Sequence, residues 1–136
     1  MPSADRKRRY WLLGTLCLSL LALGGISISR HQAQQKAELA ITLTGGDPSR
    51  APWLVTRYGC GGCHTIAGIP GADGQVGPPL HALIERVYIG GSAPNTAENL
   101  VAWLVDPQQF SPRAAMPPAG LNQAEARDIA AYLYAH

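Results

Sequence analysis

Sulfur is scarce in this chain of 136 residues, which has three cysteines and two methionines. Three cysteines cannot build the disulfide framework that staples many small secreted domains. A structural zinc site would need a second pair of Cys or His ligands beside the one close cysteine pair, Cys60 and Cys63. Phenylalanine occurs once, while glycine and proline are plentiful at 15 and 11, so the folded part is loop-rich with a small core. Basic residues do not gather into a face, which excludes a nucleic-acid footprint. There is no candidate nucleophile, no carboxylate pair and no phosphate-binding loop, so nothing points to an enzyme with a small-molecule substrate. Charge is missing altogether between Tyr10 and Ile28.

What is present is Cys60-Gly61-Gly62-Cys63-His64. Two cysteines three apart, with histidine after the second, read as a c-type haem attachment site. Each thiol adds to one vinyl group of the porphyrin, and His64 lies where the proximal iron ligand belongs. Gly61 and Gly62 let the backbone turn tightly against the macrocycle. A thioredoxin-like redox pair would need a βαβ context that is not visible. The other rival is a short-range disulfide in a haem-free interaction protein. The cofactor is thus one covalent haem c with its iron, and its apolar bulk would enlarge a core that about 85 residues alone leave small.

Charge is placed unevenly. Residues 1–30 hold five basic side chains against one acidic, and residues 31–136 hold six against eight. The basic residues 1–9 read as a cytoplasmic tail, followed by a transmembrane anchor at 10–29. A helix over the uncharged run spans about 28 Å, close to the hydrocarbon thickness. Tyr10 and Trp11 mark its interface. The run is longer than a signal-peptide core, and Ala22-Leu23-Gly24 is a mediocre cleavage site. The rest of the chain is therefore expected outside a bacterial cytoplasmic (inner) membrane, on its periplasmic side. Leu16 is too bulky before a lipidated cysteine, so Cys17 reads as a plain thiol. Residues 30–46 read as a tether, partly helical over Gln34–Leu43 and broken at Thr44-Gly45-Gly46; fully extended, such a stretch reaches about 50 Å.

The remaining residues, 47–136, form the haem domain. Asp47-Pro48 reads as a cap and first-turn proline, and Pro52 moves the regular helix start to its own position. That helix ends at Gly59. Residues 65–76 are a loop, Leu80, Leu83 and Ile84 suggest a short helix, and Gly90 to Asn95 is a turn. Thr96 caps a helix over Ala97–Val105. Gln108 to Pro118 reads as extended. Asn122 with Glu125 gives a capping box for a terminal helix buried through Ala126, Ile129, Ala130 and Leu133 and bordered by Tyr132 and Tyr134. Glu85-Arg86 and Glu125 to Asp128 read as solvated faces. Arg86 and Tyr88 read as surface residues, with a haem propionate contact as the alternative.

Met116 is the one methionine besides the initiator. Its proline-flanked loop could hold the thioether toward iron as the second axial ligand. A gap-filling core methionine is the alternative, as are His81 or His136 at the iron. His/Met ligation leaves no free iron position and suits one-electron transfer.

Together these residues resemble class I cytochrome c, over about Asp47 to His136. Gly77-Pro78 with Leu80 is similar to the family's Gly-Pro-x-Leu element, which implies that the Pro78 carbonyl accepts the ring N–H of His64. Trp103 stands where the family often has an aromatic residue near the methionine, which implies an indole donor in the haem pocket; a plain core tryptophan is the equal alternative. The resemblance implies an all-α cytochrome c fold of three to five short helices around one haem, here preceded by a transmembrane helix. More narrowly, the anchor, the Ile69–Leu80 insert and the Ala-Tyr-Leu-Tyr ending resemble small membrane-bound cytochromes c that work with terminal heme–copper oxidases. The implied function is an electron carrier, or a subunit of a respiratory complex, between a quinol-oxidising complex or dehydrogenase and a terminal oxidase. The alternative is a haem sensor or enzyme with an exchangeable sixth ligand.

Overall fold

The computed structural model describes residues 3–136, and the side chains of residue 6 and residues 8–136. Part of the basic tail expected at 1–9 thus lies outside the described residues. The chain divides into two compact units, residues 1–34 and 35–136.

Among the described residues the first unit is a single helical stretch, part of α1 (Ser3–Thr44). It is long and apolar enough to cross a membrane. Leu, Ile and aromatic side chains project all round it, Trp11 at 76% and Leu18 at 71% exposure among them. A helix apolar on every side is stable where it is surrounded by protein core or lipid. Four of its hydroxyls are satisfied internally. Thr15, Ser19, Ser27 and Ser29 donate to the carbonyls of Leu12, Leu16, Leu23 and Gly25, an arrangement that suits an apolar environment, where unpaired polar groups are costly.

The second unit begins inside the same helix. The helix expected over Gln34–Leu43 is present and extends over all of residues 30–44. They are helical to Thr44, because Gln, Ala, Lys, Glu and Leu are strong helix formers and no breaker intervenes before Gly45. At about 1.5 Å per residue their reach is less than half that of extended chain. The last turns of α1 join the domain core, with Ala40 and Thr44 buried.

Asp47 then caps a short turn, accepting from the Ser49 N–H at 2.9 Å. Pro48 opens that turn, and α2 (Ala51–Arg57) follows with Pro52 in its first turn, where the missing N–H costs nothing. Thr96 accepts from the Asn99 N–H at 3.2 Å and starts α3 (Ala97–Val105). α4 (Gln123–Ala135) opens with the expected capping box: Asn122 Oδ1 accepts from Glu125 N–H at 3.0 Å, and Glu125 Oε2 accepts from Asn122 N–H at 3.1 Å. α4 packs against both α2 and α3. Leu54, Ile129 and Leu133 are fully buried, each contributing about 1.5–3 kcal/mol of apolar burial.

Four local expectations change. The short helix from Leu80 is one 3-10 turn, Leu83–Glu85. Ala82 precedes it at φ +50°, a left-handed conformation that cannot continue a helix. Gly90 to Asn95 belongs to a small antiparallel hairpin of β1 (Tyr88–Ile89) and β2 (Ala93–Pro94). The segment after α3 begins with a 3-10 turn, Pro107–Gln109, rather than extended chain, because Asp106 accepts from the Gln108 N–H at 3.0 Å. Finally, Tyr132, Tyr134 and Asp128 are all buried.

Asp128 is not a solvated residue but a clasp. Its Oδ1 accepts from the Asp47 N–H at 2.8 Å. Its Oδ2 lies 3.4 Å from Arg50 Nε without hydrogen-bond geometry, so we assign most of its effect to the backbone bond. Beside it, Arg127 Nη1 donates to the Thr44 carbonyl at 2.8 Å. Asp128→Ala strands the Asp47 N–H and should cost about 1–3 kcal/mol, measured as a lowered denaturant midpoint at constant slope. An unchanged midpoint would show that the clasp contributes nothing.

Tyr58 donates to Glu125 Oε2 at 2.8 Å and ties α2 to α4. The Asn122 N–H, then the Tyr58 hydroxyl, hold the Glu125 carboxyl below the usual carboxylate range. A depressed folded pKa stabilises the fold above the unfolded pKa, and the contribution disappears as pH falls through the folded one. The wild-type midpoint should therefore drop more steeply on acidification below the carboxylate range than that of Glu125→Gln. Identical acid limbs would exclude this linkage.

Candidate haem attachment site

Cys60 opens a 3-10 turn, Cys60–Gly62, directly after α2. The Cys63 and His64 N–H groups both donate to the Cys60 carbonyl, at 3.2 and 3.0 Å. The turn sets the two thiols and the imidazole on one tight loop. Cys60 and Cys63 are unpaired thiols. Burial pushes the Cys60 thiol up, which disfavours a thiolate. A redox dithiol needs the opposite tuning.

The following loop is laced to this turn by its backbone. Gly74 N–H donates to Gly61 O at 3.0 Å, Gly77 N–H to Cys63 O at 2.8 Å, and Leu80 N–H to Thr65 O at 2.9 Å. Gly61 has a different role from the one expected. A Cβ there would stand 2.7 Å from the Ala72 Cα, so glycine lets two backbone segments touch.

His64 Nδ1 lies 2.7 Å from the Pro78 carbonyl oxygen. A carbonyl can only accept, so Nδ1 carries the proton and Nε2 keeps its lone pair. Gly77 makes room for the ring. A Cβ on it would sit 2.3 Å from His64 Cε1.

The other expected residues divide into two groups. Leu80 and Met116 are half-buried, and both pack, as Cys60 does, against the apolar cluster that contains Trp103. Trp103 is buried, its ring against the Gly90 backbone and 6.0 Å from Phe110 between centroids. Pro78 is exposed and joins the site through its carbonyl alone. Asn95 was not expected here, nor were backbone partners for Arg86. Arg86 donates to the Pro79 carbonyl and, at 3.1 Å, to that of His81. Asn95 donates to the Leu83 and Arg86 carbonyls at 2.8 and 2.7 Å. Neither has a spacing signal, because its partners are backbone oxygens.

The donor set fits a covalent haem c: two free thiols, one imidazole with an open Nε2, a thioether on the same apolar cluster, and glycine beneath the ring. Among the described residues no group of three or more His, Cys, Asp and Glu side chains is arranged to hold a metal ion, which disfavours a zinc-type cluster. A cytochrome c family model matches residues 54–135, more than half the chain. The chain belongs to the cytochrome c family. It is a c-type cytochrome, its cofactor is covalent haem c with iron, and its chemistry is haem-based electron transfer. No match was found among curated proteins or among solved structures.

Gly77→Ala should displace the imidazole and lower the stability of this cytochrome by about 1–3 kcal/mol, as overpacking does. Thermal unfolding and the imidazole NMR signals of the holoprotein check this. If both stay unchanged, the loop yields and the close approach is not needed.

Proposed function

We propose that this cytochrome is a membrane-anchored one-electron carrier whose single haem is attached through Cys60 and Cys63 and ligated by His64 and Met116. The observation that carries the reading is the 2.7 Å contact of His64 Nδ1 with the Pro78 carbonyl. It leaves Nε2 as the basic nitrogen and strengthens it as a ligand. When bound, the haem supplies a one-electron iron couple, with His/Met ligation giving a higher potential than His/His. Met116 lies in the proline-flanked stretch Ala115-Met116-Pro117-Pro118, which limits how far its thioether can wander. Leu80 and Trp103 keep water from the apolar side of the site.

In this reading residues 10–29 are the single-pass anchor, the basic residues 1–9 stay cytoplasmic by the positive-inside rule, and residues 47–136 are the haem domain on the periplasmic side of a bacterial inner membrane. The partners are redox proteins: a quinol-oxidising complex or dehydrogenase as donor and a terminal oxidase as acceptor. The chain acts without a substrate of its own, as a free carrier or as a subunit of a respiratory complex. The anchor supports this reading because it confines diffusion to two dimensions.

Met116→Ala should keep covalent haem by pyridine haemochrome assay. It should lose the long-wavelength band that reports the methionine–iron(III) bond, and gain carbon monoxide binding. A wild-type protein that lacks the band and binds carbon monoxide readily would overturn the closed-ligand reading in favour of a sensor or enzyme. Retention in membranes after alkaline carbonate washing tests the anchor, and release would refute it.

A further inference from the structure

The Pro78 carbonyl sits in an exposed segment without regular secondary structure. A hydrogen bond to such a group is weak unless something fixes its direction. Part of the answer is in the sequence. Pro79 restricts Pro78 to extended conformations, and both rings lock their own φ. The plane of the next peptide still has to be held.

Arg86 holds it. Its Nη2 donates to the Pro79 carbonyl and to the His81 carbonyl, the latter at 3.1 Å. Both bonds are charge-assisted and so stronger than neutral ones. The base of Arg86 is fixed in turn. Asn95 Nδ2 donates to the Arg86 carbonyl at 2.7 Å and to that of Leu83 at 2.8 Å. Tyr134, buried on α4, donates its hydroxyl to Asn95 Oδ1 at 2.7 Å. Burial, with Glu98 nearby, pushes the Tyr134 phenol up to about 12, so it remains a donor at any physiological pH. The result is a line of hydrogen bonds from α4 to the Pro79 carbonyl, one residue beyond the carbonyl that meets the imidazole.

We propose that Arg86, seated by Asn95 and Tyr134, is a positioning residue that holds the Pro78 carbonyl on His64 Nδ1. This rests on the reading of His64 as the iron ligand. Arg86 stays partly exposed, as expected of a surface residue, but its guanidinium is engaged with the backbone. The doubled proline gains a purpose: it lets a clamp on the Pro79 carbonyl also set the preceding carbonyl.

The test is deuterium exchange of the His64 Nδ1 proton in the reduced holoprotein, read by NMR against amides of α4 such as those of Ile129 and Ala130. Arg86→Met should speed the imidazole proton by about tenfold relative to those amides, the size expected from losing a charge-assisted bond. Tyr134→Phe should act in the same direction by less. Arg86→Lys should restore part of the protection, because an ammonium still donates. Equal acceleration at all sites, or none at His64, would overturn the proposal. If Arg86→Met yields no holoprotein, Arg86→Lys and Tyr134→Phe carry the same comparison. Failure of the ligand reading is separate: the native protein would then lack a histidine-ligated low-spin spectrum before any change at Arg86.

Discussion

One carbonyl oxygen fixes the tautomer of His64. Imidazole has two distinct ring nitrogens, and which of them bears the proton is set by the hydrogen bond the ring makes. The Pro78 oxygen, 2.7 Å from His64 Nδ1, settles that choice. A great deal of local structure serves this contact. Gly77 supplies the clearance, the Gly77-to-Cys63 and Leu80-to-Thr65 bonds fix the approach, and the ring of Pro79 narrows the backbone. The contact thus depends on several modest interactions rather than on one strong one.

α4 is the scaffold behind it. Its capping box sets where it starts, and its face of Ala126, Ile129, Ala130 and Leu133 packs the core. Its polar groups then reach outward in four directions. Asp128 takes the Asp47 N–H, Arg127 the Thr44 carbonyl, Tyr132 donates to the Ala67 carbonyl, and Tyr134 to Asn95. Each partner lies in a segment with little regular structure or at a helix end. In a chain with one phenylalanine, long loops cannot be pinned by apolar contacts alone. Tyrosines do both tasks, burying a ring while the hydroxyl holds a backbone group.

The sequence is legible wherever the signal is local. Asn122 with Glu125, Thr96 before Ala97 and Asp47 before Pro48 each name a cap, and each cap forms as read. The pentapeptide Cys60–His64 and the run Tyr10–Ile28 are equally local. The Pro78 contact came only through family resemblance, since nothing in the spacing of residues 64 and 78 compels it. What could not be read is long-range and backbone-directed. Asp128 looks solvated because a helix surface pattern cannot reveal that the Asp47 N–H faces it from far along the chain. Arg86 looks like a surface cation because carbonyl partners leave no trace in side-chain patterns. The tether was legible only in part. The break read at Thr44-Gly45-Gly46 is where the helix ends, but the helix before it is longer than Gln34–Leu43 and reaches back without interruption.

That last correction bears on how the domain is held together. Because the second compact unit begins at Gln35, inside α1, the last turns of that helix are part of the haem domain's own core. Ala40 and Thr44 are buried there, and the Thr44 carbonyl is capped by Arg127. Helix C-termini leave carbonyls without partners, and a guanidinium both satisfies one and complements the negative end of the helix dipole. Arg127 and Asp128, adjacent on α4, thus close the end of one helix and the approach to the next with opposite charges. From Gln35 on, the segment read as a tether is a structural member of the domain. Its stability therefore depends on residues that precede the cytochrome-like region.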